Sequence, residues 1–304
     1  MRSTPGHGDV LSYYDFGRTT VQCLGHDPRF SYCAYVPESY DEHGSQTYGL
    51  MVVVHGTMRD NAACRDAFID LAERHQLIVL APLFPGGITG PRELSSYKRL
   101  RGPLGGAGAG SPCYDLILLK MIDELAAVYR IDAERFCLFG FSGGGHFAHR
   151  FLYAHPERLR AVSIGAPGIV TLLDEDVDYV AGVRNFEAVF GRPLDIAAMR
   201  RVAVQTVVGA EDTATWEITI TPDNPWWQPA FDGHGATRID RVLALRASLE
   251  ARGIAVTHDM VPGTGHRQEP LLPVVKTFLS NRLAQGDAPD TGGGAGATTA
   301  TEKK

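Results

Sequence analysis

Residues 135–154 read RFCLFGFSGGGHFAHRFLYA. An apolar run, Arg135–Phe139, leads into Gly140-Phe141-Ser142-Gly143-Gly144 and then into residues at helical spacing, Gly144–Ala154. The pattern predicts a strand, a sharp turn and a helix, with Ser142 at the apex of the turn. Such a turn strains the serine backbone and lifts its hydroxyl above the sheet, while flanking glycines remove side chains that would collide. A serine so placed can attack a carbonyl carbon. The amide of Gly143 and the positive end of the following helix can stabilise the oxyanion that results.

Working outward, Leu50–His55 (LMVVVH) and Leu77–Leu83 (LIVLAPL) are continuous apolar runs, as expected of strands covered on both faces. Asn61–Gln76 between them has near-helical spacing of Ala63, Phe68, Leu71 and Ala72, and Tyr114–Tyr129 reads as an amphipathic helix. Ala161–Ile164, Val202–Val208 and Ile254–Val261 add strands, and Arg238–Arg252 and Leu271–Leu283 add helices. This alternation implies an α/β fold with a doubly wound, mostly parallel sheet. Within Arg18–Glu38, TTVQCL and FSYCAYV flank the turn-rich GHDPR and predict an antiparallel N-terminal hairpin at the sheet edge. Two long connections, Pro85–Pro112 and Gly165–Met199, are expected to be inserted loops that roof the site. One domain is expected over 18–284, after a flexible N-terminus at 1–17 and before a disordered tail at 285–304 that is too poor in large apolar residues to offset its ordering entropy.

A serine nucleophile needs a base and an acid brought back to the carboxyl edge of the sheet. His266, in VPGTGH after the last predicted strand, fits the chain order serine, acid, histidine. In Val207-Val208-Gly209-Ala210-Glu211-Asp212 either carboxylate could orient the imidazole, and Asp212 is favoured over Glu211. His146, His149 and His155 read as packing or surface groups, although His146 is near enough to the serine to touch substrate. His55 reads as a brace for the loop that follows it. His234 is a weak candidate for the base. A second oxyanion donor is expected from the amide of Thr57 or Met58, after His55-Gly56. The three tryptophans, Trp216, Trp226 and Trp227, cluster after the proposed acid and suggest an aromatic pocket wall.

Composition narrows the alternatives. With 304 residues, 44% of them hydrophobic, the chain can bury one large core. A formal charge of −6 provides no basic field for nucleic acid. The segment MRSTPGHGDV lacks the apolar centre of an export signal, and no apolar run reaches the ~18 residues that span a bilayer. A cytoplasmic enzyme without a membrane partner is therefore expected, its oligomeric state open. Five cysteines without CxxC spacing predict reduced structural thiols, Cys23 and Cys33 being the pair that the hairpin could bring together. Gly105–Gly110 is glycine-rich but lacks the Lys-Ser/Thr of a phosphate loop, so neither cofactor nor metal is expected.

The segments VVVHGTMRDNA, DLILLKMIDELAAVYRID, RFCLFGFSGGG, HPERLRAV and VPGTGH together resemble the polyhydroxybutyrate depolymerase and feruloyl esterase-like branch of the α/β-hydrolases, over about residues 30–284. The resemblance implies the α/β-hydrolase fold and hydrolysis of a small-molecule carboxylic ester through an acyl-serine, with Ser142, Asp212 and His266 at the triad positions. The chain departs from that branch in Gly143-Gly144-Gly145-His146 and in its tryptophan-bearing insertion, which leaves the substrate open. An amidase, peptidase or lactonase would use the same groups, and a non-catalytic binding module would lack an accessible, activated serine.

Overall fold

The computed structural model describes residues 9–102 and 111–285, so the glycine-rich segment 105–110 and the tail beyond Gln285 lie outside the described residues. Its strands are β1 (Gly17–Arg18), β2 (Gln22–Cys23), β3 (Ser31–Val36), β4 (Gly49–Val54), β5 (Leu77–Leu83), β6 (Phe136–Phe141), β7 (Leu159–Gly165), β8 (Ala203–Gly209) and β9 (Val256–Val261). They form one sheet in the order β1-β3-β5-β4-β6-β7-β8-β9, with β2 also on β3. The strands from β5 across to β9 run parallel, while β3 pairs antiparallel with β5, β1 and β2. The predicted hairpin at the edge is thus β2–β3. Its register sets Cys23 opposite Ser31, not Cys33, and all five cysteines are free thiols.

Continuous apolar strands follow from helices on both faces. Alternate residues of β4 divide between two cores, Val52 and Val54 on one side and Met51 and Val53 on the other. The first core receives α3 (Tyr114–Val128) and α4 (Gly143–Ala154), and the second receives α1 (Asn61–Asp66), α2 (Ile69–His75) and α8 (Leu272–Gln285). Between β7 and β8 lie the short helices α5 (Phe186–Phe190) and α6 (Ile196–Met199), and α7 (Arg238–Ala251) connects β8 to β9.

Two expectations need correction. Asn61–Gln76 is two helices, because Phe68 leaves helical geometry with φ at −114° and inserts its fully buried ring beside Phe139, 5.4 Å away between centroids. The folded unit also begins before residue 18. Ser12 and Asp15 form a reciprocal cap on a short 3-10 turn, Phe16 is buried, and Gly17 belongs to β1.

Candidate active site

Ser142 stands between β6 and α4 with φ 54° and ψ −113°, a conformation imposed on a non-glycine residue by its surroundings. Its amide donates to the Gly165 carbonyl at 2.8 Å, which ties the turn to β7. The glycine at 144 is a packing requirement: a Cβ there would collide with the carbonyl of Val54, so α4 could not sit this close to β4.

The carboxyl ends of β8 and β9 bring the other groups to this point. The amide of Glu211 donates to the Thr264 carbonyl at 2.8 Å, and that of Ala210 to the Val261 carbonyl at 2.9 Å. These bonds lock the loop after β8 to the loop carrying His266. His266 Nε2 then lies 2.9 Å from Ser142 Oγ, and His266 Nδ1 lies 2.6 Å from Asp212 Oδ2. Asp212 is 1% exposed, whereas Glu211 points outward to solvent. A carboxylate can only accept at Nδ1, so it selects the tautomer whose Nε2 carries a lone pair toward the serine hydroxyl. Phe141 stacks on the imidazole with ring centroids 4.7 Å apart.

Asp212 has a second partner that the sequence reading passed over. Arg238, the first residue of α7, donates from Nη1 to Asp212 Oδ1 at 3.2 Å and from Nη2 to Glu217 Oε2 at 2.6 Å. Both carboxylate oxygens of Asp212 are therefore held, and its orientation is fixed from two sides. The sequence reading places Arg238 at the start of a helix, and its spacing from residue 212 carries no local signal.

Of the two expected oxyanion donors in the loop after β4, Thr57 has its amide nitrogen against Gly143, while the Met58 side chain is 90% exposed. The Gly56–Thr57 peptide that carries this amide is oriented by His55. The buried His55 ring donates from Nδ1 to the Gly56 carbonyl at 2.8 Å and accepts the Phe84 amide at Nε2, 3.0 Å away. Burial pushes its pKa down to about 4, which keeps the ring neutral and able to do both.

His146 lines the cavity above the serine, yet its Nε2 accepts the amides of Gly168 at 2.8 Å and Ile169 at 3.2 Å. One turn on, His149 Nε2 accepts the Thr171 amide at 3.1 Å. These two rings fasten the segment after β7, and burial holds both well below the ordinary imidazole pKa. His155 is also internal, hydrogen-bonded to Asp115 at 2.9 Å. His234 is buried beside Phe231, away from the serine–imidazole contact.

The cavity itself measures about 1130 Å³, with Ser142 and His266 in its floor. Trp216 and Trp226 line it, Trp216 78% exposed at the rim and Trp226 beneath the Arg99 guanidinium, 3.4 Å from the ring centroid. Trp227 does not line it. The Trp227 amide closes a turn on the Asn224 carbonyl at 2.9 Å. Three guanidiniums assemble the roof, Arg150 and Arg241 buried and Arg59 half-buried. Arg59 donates to the carbonyls of Thr57, Phe84 and Leu94, and Arg150 to Thr171 Oγ1 and the carbonyls of Lys98 and Ile169. Arg241 donates to the carbonyls of Gly168, Ile218 and Gly235. None of the three was foreseen from the sequence.

Among the described residues, one group of carboxylate and imidazole side chains lies close enough to share a cation, Asp9, Glu42 and His43 near the surface. The Glu42 carboxylate there already accepts the amides of Asp9, Val10 and Leu11.

No family model and no curated protein matches the sequence. Solved structures do match. A poly(3-hydroxybutyrate) depolymerase from Bordetella parapertussis superposes with a TM-score of 0.66 at 24% identity, covering 88% of this chain and 94% of its own. Poly(aspartic acid) hydrolase-1 from Sphingomonas sp. KT-1 gives 0.65 at 20% identity, with 82% and 92% covered. A ferulic acid esterase gives 0.57 at 14% identity, with 87% and 96% covered. At these identities the likeness establishes the architecture: the chain has the α/β-hydrolase fold.

Proposed function

We propose that this α/β-hydrolase-fold protein is a serine esterase that cleaves carboxylic esters through an acyl-serine intermediate. The observation that carries this reading is the unbroken chain Asp212 Oδ2, His266 Nδ1, His266 Nε2, Ser142 Oγ, at 2.6 Å and 2.9 Å, on a strained turn that opens into a cavity.

In this reading His266 Nε2 takes the hydroxyl proton as Ser142 Oγ adds to the ester carbonyl. The amides of Gly143 and Thr57 receive the oxyanion, and Asp212, braced by Arg238, stabilises the imidazolium. The imidazolium then protonates the departing alkoxide, leaving an acyl-serine. Water, deprotonated by the same nitrogen, releases the acid and restores the serine. The neighbours named as ferulic acid esterase and poly(3-hydroxybutyrate) depolymerase support the ester reading, while the poly(aspartic acid) hydrolase keeps amides as the second acyl class. The test is covalent labelling by a fluorophosphonate probe together with hydrolysis of 4-nitrophenyl butyrate. The native protein labels and turns over, while Ser142→Ala loses the label and about 10⁴-fold or more of the rate. An Ala variant with native activity would sink the proposal.

A further inference from the structure

The cavity has an unbalanced charge. Among the described residues Arg59 and Arg150 are bonded to neutral oxygens only, so their positive charge has no ion-pair partner there. Between them lies the short turn Tyr97–Arg99, whose Lys98 lines the cavity and whose backbone is fixed by Arg150 on the Lys98 carbonyl at 2.6 Å. The Lys98 side chain runs against the start of α4: its Cε lies 3.1 Å from where a Cβ on Gly143 would stand, next to Ser142. Among the described residues its ammonium has no hydrogen-bond or ion-pair partner.

The acids nearby are already engaged. Glu93 pairs with Arg99 at 3.3 Å and accepts the Ser95 amide at 2.6 Å, Glu217 pairs with Arg238 at 2.6 Å, and Asp60 caps α1 through the Ala63 amide at 3.1 Å. Glu269 sits at the exposed rim. A partly buried ammonium without a counter-ion is costly unless something supplies one.

Resting on the esterase reading above, we infer that the site takes acyl groups bearing a free carboxylate a few bonds from the scissile carbonyl, and that Lys98 is the specificity-determining residue that meets it. Arg59 and Arg150 add to the field without needing to touch the ligand. A carboxylate in this position would restore charge balance, and a neutral acyl chain of the same length would leave the ammonium desolvated and unpaired. Burial, together with the positive charge of Arg59 and Arg99, draws the Lys98 pKa down to about 8 against the opposing pull of Glu93 and Glu217. Recognition should therefore weaken as the free enzyme passes through that range toward alkaline pH.

The experiment compares the mono-4-nitrophenyl ester of succinate with 4-nitrophenyl butyrate, which share leaving group and chain length. The native enzyme should favour the succinate half-ester in kcat/KM, and the ratio should fall from pH 7 to pH 9. Lys98→Met should lower that ratio by roughly 10- to 100-fold, the scale of one charge-assisted hydrogen bond, and Lys98→Arg should restore part of it. A ratio near one in the native enzyme, or one unchanged in Lys98→Met, overturns the inference. The native measurement needs no variant to fold. Hydrolysis of the butyrate ester that depends on Ser142 keeps the two readings separable: if it is present with no preference, only the anion inference falls. If neither ester is cleaved and no label attaches, both fall.

Discussion

The floor and the roof of the cavity are built on different principles. The floor, at the carboxyl ends of β4, β6, β8 and β9, is fixed by sheet register, by glycine at close approaches and by neutral rings wedged between peptides. The roof is gathered from distant segments by arginines that bond to backbone carbonyls. Arg241 alone joins residues 168, 218 and 235. The contrast teaches where each kind of property resides. In the proposed reading, floor geometry would serve acyl chemistry on many substrates, and the side chains of the roof and its margins would select the acyl group.

The sharpest way to break this division is Asp212→Asn. An amide can present its NH₂ to His266 Nδ1 and stabilise the wrong tautomer, so kcat should drop by about 10⁴-fold while the fold survives. Steady-state kinetics beside circular dichroism would expose a smaller loss, which would mean that Asp212 is only a structural partner of Arg238. Next in size is Gly144→Ala. The added methyl meets the Val54 carbonyl in a sheet that cannot yield, and urea unfolding should show a loss of about 3 kcal/mol or more. A near-neutral result would show that the floor is softer than its packing suggests.

Acidification sharpens the comparison from both sides. His55 has its folded pKa depressed to about 4 from an unfolded value near 6.5, so below pH 6.5 the unfolded chain binds the proton and the folded one does not. The stability that the neutral ring provides is complete above that range and declines by up to about 1.4 kcal/mol per pH unit as pH falls toward 4. His146 and His149 are displaced in the same direction, and as acceptors for the Gly168, Ile169 and Thr171 amides they hold roof to floor. Hydrogen exchange from pH 7 to pH 5 should show those three amides losing protection before the β4 and β6 ladders do. Simultaneous loss would argue for a single cooperative unit.

The smallest expected effect belongs to Trp226→Ala. Removing the ring under Arg99 forfeits a cation–π contact of about 1 kcal/mol and some apolar burial against Phe231 and Tyr179. Activity should change several-fold, chiefly in KM, and the same substitution at Trp227 should do less. Equal effects on KM would place Trp227 in the cavity wall after all.

Legibility followed the same line between floor and roof. The parallel strands could be read because burial on both faces leaves long apolar runs, and the turn at Ser142 because its glycines are adjacent in the chain. That Asp212 and His266 come together beside Ser142 was legible from their position after strands, where loops must return to the same sheet edge. The helix boundary at Phe68 was missed because only the presence of Phe139 across the core makes leaving the helix worthwhile.

By itself, then, the sequence determined the strand and helix order, the apex serine and the loops that can reach it, since each of these is written in short-range patterning of apolar residues and glycine. Tertiary structure alone decided that Arg238 braces Asp212, that Trp226 and not Trp227 lines the cavity, and that Lys98 lies beside Gly143 without a hydrogen-bond or ion-pair partner among the described residues. The physical reason is that a guanidinium or ammonium on a long flexible stem takes its meaning from whichever oxygens the fold delivers. Those oxygens are mostly backbone carbonyls, and every residue type has one.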